Sequence, residues 1–193
     1  KVSDRLKGDL GMERYLVENC SPTLASLKTG NLFSYKYDSL EEVEFYVEFW
    51  NQCMAEKGVS VCILKIRKQT ALIYVFRKNF LERDMKRPGV AELLKKCGYE
   101  STDADYALRH LRGRLENNED FPHEIGLFLG YPLGDVIGFV ENEGRNSLCC
   151  GCWKVYCNEC EALQTFQKFK KCTEVYTHLW NQGKSVLQLT VAA

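Results

Sequence analysis

The segment Ala71-Leu72-Ile73-Tyr74-Val75-Phe76-Arg77 constrains this chain more than any other. It is rich in β-branched and aromatic residues and apolar on both faces. Such a run suits a strand covered on both sides. Val59–Arg67 reads as a second strand of similar make-up, and only Lys68-Gln69-Thr70 separates the two. An antiparallel hairpin is therefore expected at the centre of the fold.

Around the hairpin the pattern is mostly helical. Residues 39–57 carry Val43, Tyr46, Val47, Trp50, Cys53 and Met54 at helical spacing. Ser39 and Glu42 have the spacing of a capping box, and Gly58 ends the helix. Residues 4–19 read as an earlier helix. Cys20-Ser21-Pro22-Thr23 reads as a break and a restart, with Ser21 as N-cap and Pro22 at the first helical position. The restarted helix stops at Gly30, and residues 31–37 read as extended. Helices are expected over 90–97 and 103–117, and shorter ones open at Phe121-Pro122 and Tyr131-Pro132. A long amphipathic helix spans 158–182, with Leu163, Phe166, Phe169, Cys172, Tyr176, Leu179 and Trp180 inward. Residues 152–156 and 185–192 read as strands, the latter with Leu187, Leu189 and Val191 on one face. This order predicts a single α/β (or α+β) domain over residues 12–193. Its mixed sheet has four or five strands with the antiparallel hairpin central, flanked by helices, and the helix 158–182 packs across one face. Residues 1–11 read as an N-terminal extension.

Composition narrows the function. The chain has 193 residues, 45% hydrophobic and 27% charged, which excludes a wholly disordered chain. Lys+Arg and Asp+Glu both number 26. With no basic excess, no nucleic-acid partner is expected. No run of 18 uncharged apolar residues is present, so no membrane span is expected. The polar start, without a signal-peptide core, predicts a cytoplasmic protein whose ten cysteines stay reduced. The expected partner is a protein or a small molecule, and no cofactor is expected.

Three segments carry a resemblance: Glu18-Asn19-Cys20-Ser21-Pro22-Thr23-Leu24-Ala25-Ser26-Leu27-Lys28-Thr29-Gly30-Asn31-Leu32-Phe33, Phe121-Pro122-His123-Glu124-Ile125-Gly126-Leu127-Phe128-Leu129-Gly130-Tyr131-Pro132, and Gly151-Cys152-Trp153-Lys154-Val155-Tyr156. With the tail Leu189-Thr190-Val191-Ala192, they resemble an uncharacterised bacterial family, a domain of unknown function. The resemblance implies a soluble intracellular protein of anaerobic bacteria and brings no catalytic assignment. Ser26 stands where the family pattern leads one to expect glycine.

Two constellations could carry chemistry. A cysteine just before a helix start sits in the positive end of the helix dipole, which lowers a thiol pKa. Cys20 is so placed by the expected restart at Pro22. His123, at the start of another expected helix, would be its base, with Asp135 or Glu124 orienting the ring. This reads as a thiol-dependent hydrolase or acyl transferase. The second constellation is the cluster Cys149, Cys152, Cys157 and Cys160, two C-x-x-C pairs. A four-cysteine metal site is disfavoured, because the intervening Trp153–Tyr156 reads as a strand without a tight turn. A redox pair or simple reduced thiols remain open. The competing function is a non-catalytic module that binds a protein or a redox cofactor through this cluster. Residues 123–144 mimic a helix-turn-helix, but the second helix offers Asp135, Glu141 and Glu143 and no basic residue before Arg145. Lys28-Thr29-Gly30 matches a triplet of penicillin-binding enzymes, but no Ser-x-x-Lys accompanies it.

Overall fold

The computed structural model describes residues 11–117 and 121–192. The expectations for residues 1–10, including the first seven positions of the helix read over 4–19, lie outside them. Strand β1 (Gly30–Lys36), helix α2 (Leu40–Met54), strands β2 (Val59–Arg67) and β3 (Thr70–Arg77) follow helix α1 (Gly11–Leu24). Then come α3 (Lys78–Met85), α4 (Val90–Lys96), α5 (Ala104–Asn117), α6 (Ile125–Phe128) and α7 (Leu133–Glu141). A short ribbon, β4 (Cys149–Cys150) and β5 (Lys154–Val155), leads into α8 (Glu159–Asn181) and α9 (Val186–Leu189).

The hairpin is where the sequence puts it. β2 and β3 pair antiparallel, and β1 adds to the other edge of β3, giving the order β1-β3-β2. The double-sided apolar run is thus the middle strand. Ala71, Ile73 and Val75 pack on one face with α1, α2 and α9 residues, while Tyr74 and Phe76 pack on the other with α3 to α7 residues. A bulge between Ile63 and Lys65 slips Leu64 into that second core. Helices cover both faces, so the fold is a mixed α/β arrangement in three layers.

The sheet corrects the expected four or five strands: it has three, all antiparallel, and β4–β5 forms a separate ribbon. The alternation at residues 185–192 misled because Ser185 and Gln188 close a full capping box. That box favours a helical turn. Val186 and Leu189, three apart, are buried, while Leu187 and Val191 are exposed. Helix α8 packs mainly against α1, not across the sheet, because α1 already occupies that face. Leu163, expected inward, is 45% exposed, and Ala162 takes the inward place. Helix α3 was not expected, since only Phe80, Leu81 and Met85 of its eight residues are apolar.

Helix α1 also corrects the reading of its end. It runs unbroken through Pro22 to Leu24. Proline here removes one donor within a turn of the end, and the unpaired carbonyl belongs to Glu18 on the exposed side. The helix closes in a Schellman motif: Leu27 N–H donates to Pro22 O (2.9 Å) and Ser26 N–H to Thr23 O (3.2 Å). The motif needs a left-handed residue, and Ser26 has φ 60°. This accounts for the glycine the family pattern leads one to expect. Ser26→Gly is expected to stabilise the protein by about 1 kcal/mol in urea unfolding.

Arg77 continues the inner face of β3 and is fully buried. Its guanidinium donates to Thr23 O (2.7 Å), Leu24 O (2.8 Å), Lys57 O (3.1 Å) and Val191 O (2.8 Å). It thus gathers the end of α1, the turn after α2 and the C-terminal segment onto the central strand.

Candidate functional site

Cys20 lies in the last turns of α1, fully buried in the core that α1 forms with the sheet. Burial pushes its thiol well above the ordinary value. The end of a helix places a thiol in the negative, not the positive, end of the dipole. His123 is exposed in the turn before α6, its ring 4.8 Å from that of Phe139. Asp135, in the first turn of α7, is buried and committed elsewhere. One carboxylate oxygen accepts from Trp153 Nε1 (2.7 Å), the other from the Tyr156 and Cys157 backbone N–H groups (2.7 and 3.0 Å). His123 and Asp135 line one cavity and Cys20 does not. Among the described residues no hydrogen bond joins any two of the three. Glu124 is engaged by Arg114 (2.6 Å) and by the Tyr99 hydroxyl (3.0 Å).

In the cysteine cluster the tight turn exists, but it lies earlier than the sequence reading looked for it. Cys149 pairs with Val155 and Cys150 with Lys154, so Gly151-Cys152-Trp153 makes the bend. All ten cysteines are free thiols. Among the described residues no three His, Cys, Asp or Glu side chains stand close enough to share a metal ion. The effect of the ribbon is to carry Cys152 and Trp153 against α8 and the turn before α7, where Asp135 ties it down.

That placement builds the site sequence reasoning missed. A cavity of about 940 Å³ opens between α1, α8, the start of β1 and the ribbon. Lys28 lies in its wall, only 8% exposed. No hydrogen bond or ion pair reaches its ammonium from the described residues. Its nearest company is aromatic, with Nζ 5.1 Å from the Tyr131 ring centre and 5.8 Å from that of Phe169. Burial pulls its pKa down to about 8, against a smaller upward pull from the Cys152 and Cys20 thiols. Gly130 makes the approach possible. Its φ is 75°, and a Cβ there would fall 2.6 Å from Thr29 Oγ1, so the chain can turn tightly over Thr29 and present Tyr131 to Lys28. Tyr131 is held in turn: its hydroxyl donates to Cys152 O (3.1 Å) and its ring stacks on Trp153 at 4.8 Å. Trp153 meets Phe166 of α8 edge-on at 4.5 Å. The only sequence signal for Lys28 was the Lys-Thr-Gly triplet, which points to a different chemistry.

No helix among the described residues is long and apolar enough to cross a membrane. No curated protein and no solved structure matches the chain. One family model matches residues 16–190, which take in the three segments that carried the resemblance. The chain therefore belongs to that family, the proteins of unknown function DUF3793.

Proposed function

We propose that this protein is a non-catalytic binding module for a small molecule that presents an anionic group to Lys28. The observation that carries the reading is Lys28, a residue only 8% exposed, without a hydrogen bond or ion pair among the described residues, and set in the wall of a large cavity. A buried charge without a partner is costly. A ligand carboxylate or phosphate would supply that partner in a site where water competes poorly. The rings of Tyr131, Phe166 and Phe169 offer the apolar walls that hold a ligand's body. The cysteine ribbon then serves as a wall of the site, not as a redox or metal centre. A thiol hydrolase built on Cys20 and His123 gains no support from a thiol sealed in the core.

Benzoate is a suitable probe, with amide chemical shifts as the readout. The charge-assisted contact predicts that Lys28→Met weakens benzoate about 10- to 100-fold. Affinity should also fall as pH rises through about 8, where the ammonium loses its proton. Equal binding by wild type and Lys28→Met would overturn the reading.

A further inference from the structure

A second cavity of about 460 Å³ adjoins the first. Leu32, Leu129, Tyr131 and Cys152 line both, so a single layer of side chains separates them. The two differ in chemistry. The first holds the unpartnered ammonium. The second is walled by Phe121, Ile125, Val136 and Phe139. Its two charged groups, Asp135 and Lys154, are already engaged. Asp135 is bound to the ribbon, Lys154 Nζ donates to Gly144 O and lies 5.8 Å from the Phe139 ring centre, and His123 packs on the same ring. Within the dividing layer the Tyr131 ring is held by its hydroxyl's hydrogen bond to Cys152 O, its stack on Trp153 and the Lys28 ammonium 5.1 Å from its centre.

We infer that the two cavities are halves of one site for a free amphipathic anion, its head on Lys28 and its hydrocarbon tail in the second cavity. This rests on the reading of Lys28 as the anion-binding group and adds the class of the ligand: a medium-chain acyl or alkyl anion. The apolar cavity alone would not name its occupant. Its continuity with a cation does, because a tail that starts at Lys28 has this lined space directly across Tyr131. A planar ring alone would fill only the first cavity. Lodging the tail requires the Tyr131 ring to lean aside, and what resists that movement is one neutral hydrogen bond, one ring stack and the contact with the Lys28 ammonium, which the bound anion replaces.

The test is a chain-length series of butyrate, hexanoate, octanoate and decanoate, each below its micelle concentration, titrated by calorimetry. Methyl-resolved NMR of the Ile125 and Val136 side chains reports entry into the second cavity. Affinity should rise about fourfold per methylene until the cavity is full and then level off. The Ile125 and Val136 methyls should shift with the longer acids and not with butyrate. Octyltrimethylammonium should not compete. Two results overturn the inference and leave the Lys28 site standing. One is Lys28-dependent binding with the same affinity at every chain length. The other is a gain with length that leaves the Ile125 and Val136 methyls unmoved. If no alkyl acid binds while benzoate does, the inference alone falls. If benzoate fails as well, or if Lys28→Met binds every acid as wild type does, both the inference and the reading it rests on fall. Affinity for phosphatidylglycerol vesicles without affinity for monomeric octanoate would likewise replace the free anion with a lipid surface.

Discussion

Arg77→Met is expected to cost at least about 4 kcal/mol, a third or more of the stability of a typical domain. The guanidinium is fully buried and donates to four backbone carbonyls. Two of these, Thr23 O and Leu24 O, sit at the end of α1, where helix carbonyls lack intrahelical partners and the dipole is negative. Methionine fills much of the same space and donates nothing. It deprives four carbonyls of a hydrogen bond to a charged donor worth about 1.5–3 kcal/mol. Thr23 O keeps the Ser26 N–H, Leu24 O keeps the Val191 N–H, and Lys57 O and Val191 O are only part-buried, so the loss falls below the sum. Relief of the desolvation of the guanidinium, which pulls its own pKa down, offsets only part of this. Arg77→Lys should recover part of the loss, since one ammonium has three donors and cannot fan out to four sites. Urea unfolding of the full chain measures both. A loss below about 1 kcal/mol for Arg77→Met would mean that the α1 end and Val191 are held by packing alone. Hydrogen exchange should show the Val191 amide, which donates to Leu24 O (2.9 Å), losing protection first.

Arg77 also shows where sequence reading reaches and where it stops. The central hairpin was legible because its signal is local: alternate residues of β3 feed two different cores, so both faces must be apolar. Helix α2 was legible through Ser39, whose hydroxyl accepts from Glu42 N–H as the spacing predicts. Glu42 departs from the full box, since its carboxylate accepts from Asp38 N–H and the Tyr35 hydroxyl. Elsewhere a local signal had two readings. Pro22 can open a helix or sit harmlessly in its last turn, and the alternation after Ser185 fits either a strand or a capped turn. The site lay beyond local signals altogether. Nothing near Lys28 in sequence says that it is buried. Tyr131, Cys152 and Phe169, each more than a hundred positions away, make it so. Cys20 erred in the opposite direction, since its expected reactivity rested on a helix start that is in fact a helix end.

Lys28→Met is expected to make the unliganded protein more stable at neutral pH, by about 3 kcal/mol. The direction follows from proton binding. In the unfolded chain the lysine titrates near its ordinary value of 10.5, and in the folded protein near 8. Between those values the unfolded state binds more protons, so the stability contributed by this group rises with pH. Below about pH 8 both states are charged and the folded state bears the full penalty, about 1.4 kcal/mol for each pH unit between the two values. Methionine removes that penalty at every pH and keeps an apolar side chain against Tyr131 and Phe169. The advantage of Lys28→Met over wild type should therefore be constant up to about pH 8 and shrink towards zero by about pH 10.5. Tyr74, whose ionisation burial also opposes, destabilises both variants alike at alkaline pH and drops out of the difference. The buried Cys20 thiol interacts with Lys28, so the comparison is made in a Cys20→Ala background. Thermal unfolding of the pair from pH 6 to 10 measures it. A saturating anion on Lys28 would hold its proton, stabilise wild type and narrow or reverse the gap at neutral pH, so the same experiment with and without octanoate links the stability of the fold to the occupancy of the site. A pH-independent gap would mean that the ammonium is solvated or paired in solution, and the case for an anion at Lys28 would lose its physical basis.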